Sequence, residues 1–250
     1  MMQWHGFGSS HQGLVRPTNQ DVFLVDNRLH LWAVADGMGG HPGGDVASRL
    51  VVDTIARQAV DGADRLQGPS EQVVMALRDM VESAHHAILA HPRQHLDLNG
   101  MGTTLTLLQV SPHPFPTATI VHEGDSRAYL LRDGTLIQLT RDHSMVEEYV
   151  RQGLLSAAQA LHHPQRHVLS RAVGLGPQSD VDVTSEPLKP GDRLMLCTDG
   201  LTKMVEDARI ATTMTALPDN PEALCRALVA AALDAGGVDN VTVVIVDIRH

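Results

Sequence analysis

LHLWAVADGMGGH, residues 29–41, is an apolar run that ends on one carboxylate and then turns sharply through glycine. Leu31 to Ala35 are too few and too apolar for an exposed element, so they read as a strand covered on both faces. Asp36-Gly37 stops it. A carboxylate at the mouth of a buried strand has to be paired, hydrogen-bonded or metal-bound, because burying it alone is very costly. The bland alternative is a DG turn. The same dipeptide recurs at Asp61-Gly62, Asp133-Gly134 and Asp199-Gly200. The first follows an amphipathic helix and the second separates YLLR from TLIQL as a hairpin turn, so both read as structure. Asp199-Gly200 instead follows Arg193 to Thr198, a second apolar strand leading into a helix, and repeats the Asp36 arrangement. Spacing alone leaves two readings of that pair open, a shared metal or phosphate site and two turns.

The bulk properties narrow the function classes. A chain of 250 residues can bury a large core as one domain, and 43% hydrophobic with 19% charged residues is ordinary for a globular protein. Aromatics are only 3%, so Leu, Val, Ala, Ile and Met must build the core. A net charge of -10 argues against a nucleic-acid partner and suits divalent cations. Cys197 in an apolar strand and Cys225 in a helical stretch read as two buried, reduced thiols, which favours a cytoplasmic location. The N-terminus lacks a signal-peptide pattern, and no segment approaches the roughly 20 apolar residues of a membrane span.

Along the chain, Met2 to Gly8 reads as a first strand, followed by a polar segment carrying Arg16. Asn19, Gln20 and Asp21 lead into the strand Val22–Val25, which would place Asp21 and Asp36 at opposite or neighbouring ends of a hairpin. Asp45 can cap a helix with a stripe of Val46, Leu50, Thr54 and Ile55. A second helix carries Val73, Leu77, Met80, Val81, Ala84 and Ile88 and ends at His91-Pro92. Four strands, 103–110, 117–122, 126–131 and 136–139, read as a meander, in which Asp125 is a turn carboxylate. The stretch 143–170 changes to short helical pieces with a polar, His-rich remainder, as expected of a flap over a site. A strand near 180–185, the Asp199 strand, a helix over 221–233 and the strand VTVVIVDI opened by Asp239-Asn240 complete the chain. Runs of strands separated from helices indicate α+β with antiparallel sheets. The absence of repeats and linkers indicates one domain over residues 1–250.

Asp36, Asp199 and Asp239, three aspartates at strand ends with few Cys and no paired-His motif, define an oxygen-rich site for Mg²⁺ or Mn²⁺ rather than Zn²⁺. Two such ions sharing a carboxylate can position a water, lower its pKa and neutralise an attacked phosphoryl group, so the implied reaction is metal-assisted hydrolysis. No GxSxG or GxxxxGK[ST] motif is present.

Six segments together resemble the ordered motifs of the type 2C metal-dependent serine/threonine protein phosphatases (the PPM family) in a compact bacterial form. They are Arg16-Pro-Thr-Asn-Gln-Asp21, Ala35-Asp36-Gly37-Met38-Gly39-Gly40-His41, Gly102-Thr103-Thr104, Gly124-Asp125-Ser126-Arg127, Thr198-Asp199-Gly200-Leu201 and Asp239-Asn240-Val241-Thr242. The resemblance implies a four-layer α-β-β-α sandwich of two antiparallel sheets flanked by helix pairs. It implies that Asp36 bridges two Mn²⁺ or Mg²⁺ ions, that Gly37 offers its carbonyl to one, and that Asp199 and Asp239 complete the pair. Arg16 would hold the substrate phosphate as a guanidinium fork. Asp21 would orient the water from behind the ligands, where Gln20 and Asn240 would also stand. Asp125, with Asp199, would support a third ion, which replaces its reading as a turn residue.

Three positions depart from the family pattern. Gln20 stands where many members carry Glu, removing one charge. Met38 replaces the histidine that eukaryotic members carry after DG and that is proposed as the general acid, which leaves His41 or a metal-bound water for that task. Lys203 lies where some members place another acid for the third ion. The implied function is hydrolysis of phosphoserine and phosphothreonine in proteins by a cytoplasmic monomer that reverses a bacterial Ser/Thr kinase and acts on its substrates. The alternatives are a catalytically weak phosphatase-like regulatory module and a phosphatase of a partner-switch regulator.

Overall fold

The computed structural model describes residues 3–38, 43–91, 98–112, 115–216 and 220–249. Strands β1 (Gln3–His11), β2 (Asp21–Asp26) and β3 (Leu31–Asp36) precede helices α1 (Gly44–Asp61), α2 (Ala63–Leu66) and α3 (Ser70–Ala90). Strands β4 (Leu105–Ser111), β5 (Thr117–Glu123), β6 (Arg127–Arg132) and β7 (Thr135–Gln138) follow, then short helices α4 (Met145–Arg151) and α5 (Ala157–Ala160). The rest is β8 (Asp182–Pro187), β9 (Arg193–Cys197), α6 (Asp199–Thr202), α7 (Asp207–Ala216), α8 (Pro221–Asp234) and β10 (Val241–Arg249). Two five-stranded antiparallel sheets form, in the orders β1-β10-β9-β6-β7 and β2-β3-β4-β5-β8.

Alternating side chains on these strands serve different cores. Leu31 and Ala33 pack under α1 and α3 with Leu105, Leu107 and Val121. Trp32 and Val34, one residue out of phase, pack between the sheets against Leu194, Leu196, Val244 and Val246. Val243 and Ile245 point the other way, toward Leu201, Ile210, Leu224 and Leu228 of α6 to α8. Helices thus cover both outer faces and give the α-β-β-α order. Strands β3, β4 and β10 are buried on both sides along nearly their whole length, which is why they carry few charged residues although the sheets are antiparallel. Among the described residues no helix is long and apolar enough to cross a membrane.

Several local expectations change. The four strands read as one meander divide between the sheets, β4-β5 in one and β6-β7 in the other. The chain crosses at Gly124, whose φ of 117° only glycine adopts without strain, and this crossing projects Asp125 from the sheet ends. Asp45 does not cap α1. The N-cap is Gly43, and Asp45 lies inside the first turn, where its charge complements the helix dipole. The buried stripe of α1 runs through Ala47, Val51, Ile55 and Ala59, one position beyond the expected Val46 and Leu50. Strand β1 continues to His11, paired with β10 throughout. Met2 and Pro92 lie outside the described residues. Asp133 and Gly134, both at positive φ, make the expected hairpin turn, and both cysteines are free and buried.

Candidate metal centre

The ladder between β2 and β3 places Asp21 directly opposite Asp36. Two threonines fix Asp36 through its main chain: Thr104 N and Thr103 Oγ1 each donate to its carbonyl at 2.9 Å, and Asp36 N donates to Thr104 Oγ1 at 3.0 Å. The carboxylate is left to face the cavity. Thr104 Oγ1 also meets Ser126 Oγ at 2.7 Å, which ties the Asp125 loop to the same strand end. Asp199 opens α6 straight after β9, and Asp239 lies two residues before β10.

These positions surround one cavity of about 730 Å³. Arg16, Gln20, Asp36, Gly37, Asp125, Asp199, Asp239 and Asn240 all line it, together with Met38, His167 and Lys203. His41 lies outside the described residues. Arg16 grips Asp239 with both arms of its guanidinium, Nε to Oδ1 at 2.8 Å and Nη2 to Oδ2 at 2.9 Å. Lys203, one helical turn after Asp199, pairs with Asp199 Oδ2. Asn240 is scaffolding: its Oδ1 accepts from Gln20 N at 2.8 Å, and its Nδ2 donates to Gln12 O at 2.7 Å and Thr18 O at 2.8 Å. The loop that carries Arg16 is thereby laced to the start of β10. Gln20 O in turn accepts from Gly37 N at 3.2 Å and Ser48 Oγ at 2.6 Å.

Asp21 sits behind the cavity. Its Oδ2 accepts from Thr198 Oγ1 at 2.9 Å and Thr242 Oγ1 at 2.7 Å. Its Oδ1 has no partner among the described residues, and burial lifts its pKa to about 7 against those two hydrogen bonds. Thr198 and Thr242 flank Asp199 and Asp239 in the sequence, yet nothing in their spacing shows that both turn back onto Asp21. Their hydroxyls sit where sequence reasoning saw only strand residues. His167 was likewise missed, and the His-rich composition of residues 143–170 was the only signal for it.

Burial, then the charges of Asp21, Asp199, Asp125 and Asp239, raise the pKa of Asp36 well above the ordinary carboxylate range. Burial and Asp199 push Asp125 up to about 8, with Lys203 and Arg127 opposing. Among the described residues the aspartates do not close into a group of three or more metal-ligating side chains, and Arg16 and Lys203 pair with Asp239 and Asp199. The donor set nevertheless fits a hard divalent cation. It is all oxygen, its members repel one another, and Asp199 Oδ1 is buried without a hydrogen bond among the described residues.

A family profile described as protein phosphatase 2C matches residues 7–231. The chain belongs to the protein phosphatase 2C family. It is 39% identical over 239 residues to the serine/threonine protein phosphatase PstP of Mycobacterium tuberculosis, covering 96% of this chain but 44% of that protein. It therefore spans under half the length of that relative. The serine/threonine phosphatase stp of Listeria welshimeri is 35% identical over 246 residues, 97% of this chain and 95% of that one. A crystal structure of the M. tuberculosis PstP superposes with a TM-score of 0.88 at 37% identity, covering 99% of both chains. A structure of the PstP catalytic domain in complex with two manganese ions superposes with a TM-score of 0.85 at 35% identity over the whole of both chains. As a 2C-type chain, it shows the two-sheet sandwich of these phosphatases.

Gly200 explains how this phosphatase 2C chain brings the ends that carry Asp199 and Asp239 together. A Cβ there would run into the Asn240 carbonyl. Gly200→Ala must push the start of β10 away from α6, parting Asp199 from Asp239. We expect a loss of about 1–3 kcal/mol in urea unfolding, with activity falling more than stability predicts because the carboxylates separate.

Proposed function

We propose that this chain is a single metal-dependent catalytic domain that hydrolyses phosphoserine and phosphothreonine in proteins. The observation that carries the reading is the convergence of Asp36, Asp125, Asp199 and Asp239 with the Arg16 guanidinium on one cavity. Asp36, Asp199, Asp239 and the Gly37 carbonyl would hold two Mn²⁺ or Mg²⁺ ions, with Asp125 beside Asp199 for a third. The PstP structure with two manganese ions supports that assignment. Bound divalent ions supply Lewis-acid activation of a water nucleophile and neutralise charge on the phosphoryl group.

The chain's own residues do the rest. Arg16, released from Asp239 when that carboxylate takes a cation, presents a planar fork to two phosphoryl oxygens. Asp21, anchored by Thr198 and Thr242 behind the cavity, would orient the attacking water from behind the ligands. Asn240 and Gln20 hold the Arg16 loop in register with Asp239. Residues 143–170 form a flap whose Val168 and Leu169 wall the cavity and limit the water that reaches it. The substrates would be the phosphoproteins made by a Ser/Thr kinase of the same cytoplasm, met by a monomeric phosphatase.

Purified protein should hydrolyse a phosphothreonine peptide and p-nitrophenyl phosphate only with Mn²⁺ or Mg²⁺, and chelation should abolish turnover reversibly. Folded protein that stays inactive in excess Mn²⁺ would sink the proposal.

A further inference from the structure

A phosphorylated side chain enters the cavity on a polypeptide that stays outside, so the mouth of the cavity meets the residues on either side of it. Twelve large apolar side chains are exposed among the described residues. Three of them, Val168, Leu175 and Val238, line the cavity, and two more, Leu14 and Val15, directly precede Arg16. Apolar side chains scattered singly over a surface are ordinary, whereas a group gathered at one opening marks a contact surface.

The group forms two lips, one at the end of each sheet. On the first, the loop that continues β1 lies against the residues that lead into β10. Leu14 N donates to Gly237 O at 2.7 Å, and a Cβ at Gly237 would stand 3.0 Å from Leu14 Cγ. Gly13, at a φ of 82°, permits this seat, since a Cβ there would run into the Asp239 carbonyl. Leu14 and Val15 nevertheless remain 65% and 66% exposed, and Val238 45%. On the second lip, Leu175 rests beside Met38, just past β3, and Gly102, just before β4. A Cβ at Gly102 would come 2.8 Å from Met38 Cε and 3.3 Å from Leu175 Cγ. In an extended chain side chains alternate, so the residues two positions before and after the phosphorylated one point toward the same surface, about 7 Å along the chain. We propose that the lip of Leu14, Val15 and Val238 selects phosphoprotein segments with an aliphatic side chain two residues from the phosphorylated serine or threonine; the inference rests on the phosphatase reading above. Such a side chain, laid on the lip, takes apolar surface of both partners out of water. A serine in its place gains nothing, and an acidic one meets a chain of net charge -10.

Two phosphothreonine peptides of equal length and charge, with Leu or with Ser at both of these positions, test the proposal. In excess Mn²⁺ the unaltered protein should show a kcat/KM about tenfold higher on the Leu peptide, the factor expected when roughly half of an aliphatic side chain leaves water. Leu14→Ser/Val238→Thr should bring that ratio below about threefold. A partial loss of fold or of cations lowers both rates alike and leaves the ratio standing. A ratio below about threefold in the unaltered protein overturns the proposal, as does one that stays above it in the double variant. Unaltered protein that turns over neither peptide nor p-nitrophenyl phosphate in excess Mn²⁺ would instead overturn the phosphatase reading itself.

Discussion

Asp36→Asn should reduce Mn²⁺-dependent turnover by on the order of 10³-fold or more, while making the metal-free protein more resistant to heat. The two effects share one cause. Asp36 is surrounded by Asp21, Asp125, Asp199 and Asp239, and under the proposed function its carboxylate would hold cations whose transition-state contribution would be several kcal/mol. Each 1.36 kcal/mol is tenfold in rate, so losing about 4 kcal/mol gives the expected factor. Without cations the same charge is a liability. Its folded pKa is raised above the unfolded value near 3.9, so the native state binds more protons than the unfolded chain once pH exceeds that value. Stability of the metal-free protein therefore falls as pH rises through the window up to the folded pKa. Asn removes that titration. Melting curves in EDTA at pH 5 and pH 8 should show a decline for the unaltered protein and a smaller one for Asp36→Asn, and Mn²⁺ should stabilise only the former strongly. A variant with unchanged turnover, or with a lower metal-free melting temperature, would contradict this account.

The parts of the centre legible in the sequence are those where local grammar and chemistry coincide. An apolar run ending in Asp-Gly marks a strand end whatever the partner strand, so Asp36 and Asp199 stood out; Asp239 stood out as a carboxylate opening an apolar strand, and the core stripe of α3 followed from its spacing. What stayed illegible depends on residues meeting from afar. Thr198 and Thr242 reach Asp21 over separations of 177 and 221 residues, and a hydroxyl inside a strand carries no local mark of its partner. The split of the expected meander was hidden because a turn of the Gly124 kind joins strands of one sheet or of two equally well. Helix α7 escaped because only Ile210 and Met214 of it are buried, too few to set a period. The pairing of Lys203 with Asp199 shows the same limit: one turn of spacing made it possible, but only the cavity shows that the two share it.

Asp247→Leu should damage stability strongly, costing about 3–5 kcal/mol, because it takes the carboxylate partner away from a buried cation. Asp247 and Arg193 face each other across β10 and β9 and are only 4% and 6% exposed. Arg193 Nε donates to Asp247 Oδ1, and its Nη1 reaches the Met214 carbonyl at the end of α7. Typical domains have about 5–15 kcal/mol in total, so the variant should be marginal at 37 °C. The double variant Arg193→Met/Asp247→Leu should recover most of the loss, since the buried guanidinium is removed with its carboxylate and Arg249, which also pairs with Asp247, is half exposed to solvent. Urea midpoints of the single and double variants test this; equal midpoints would show that the guanidinium finds other partners. The pair lies at the opposite ends of the same two strands that deliver Asp199 and Asp239. Five strand residues at about 3.3 Å each put it roughly 17 Å from the cavity. Turnover per folded molecule should therefore survive in the double variant, which separates what holds β9 and β10 together from what their ends do.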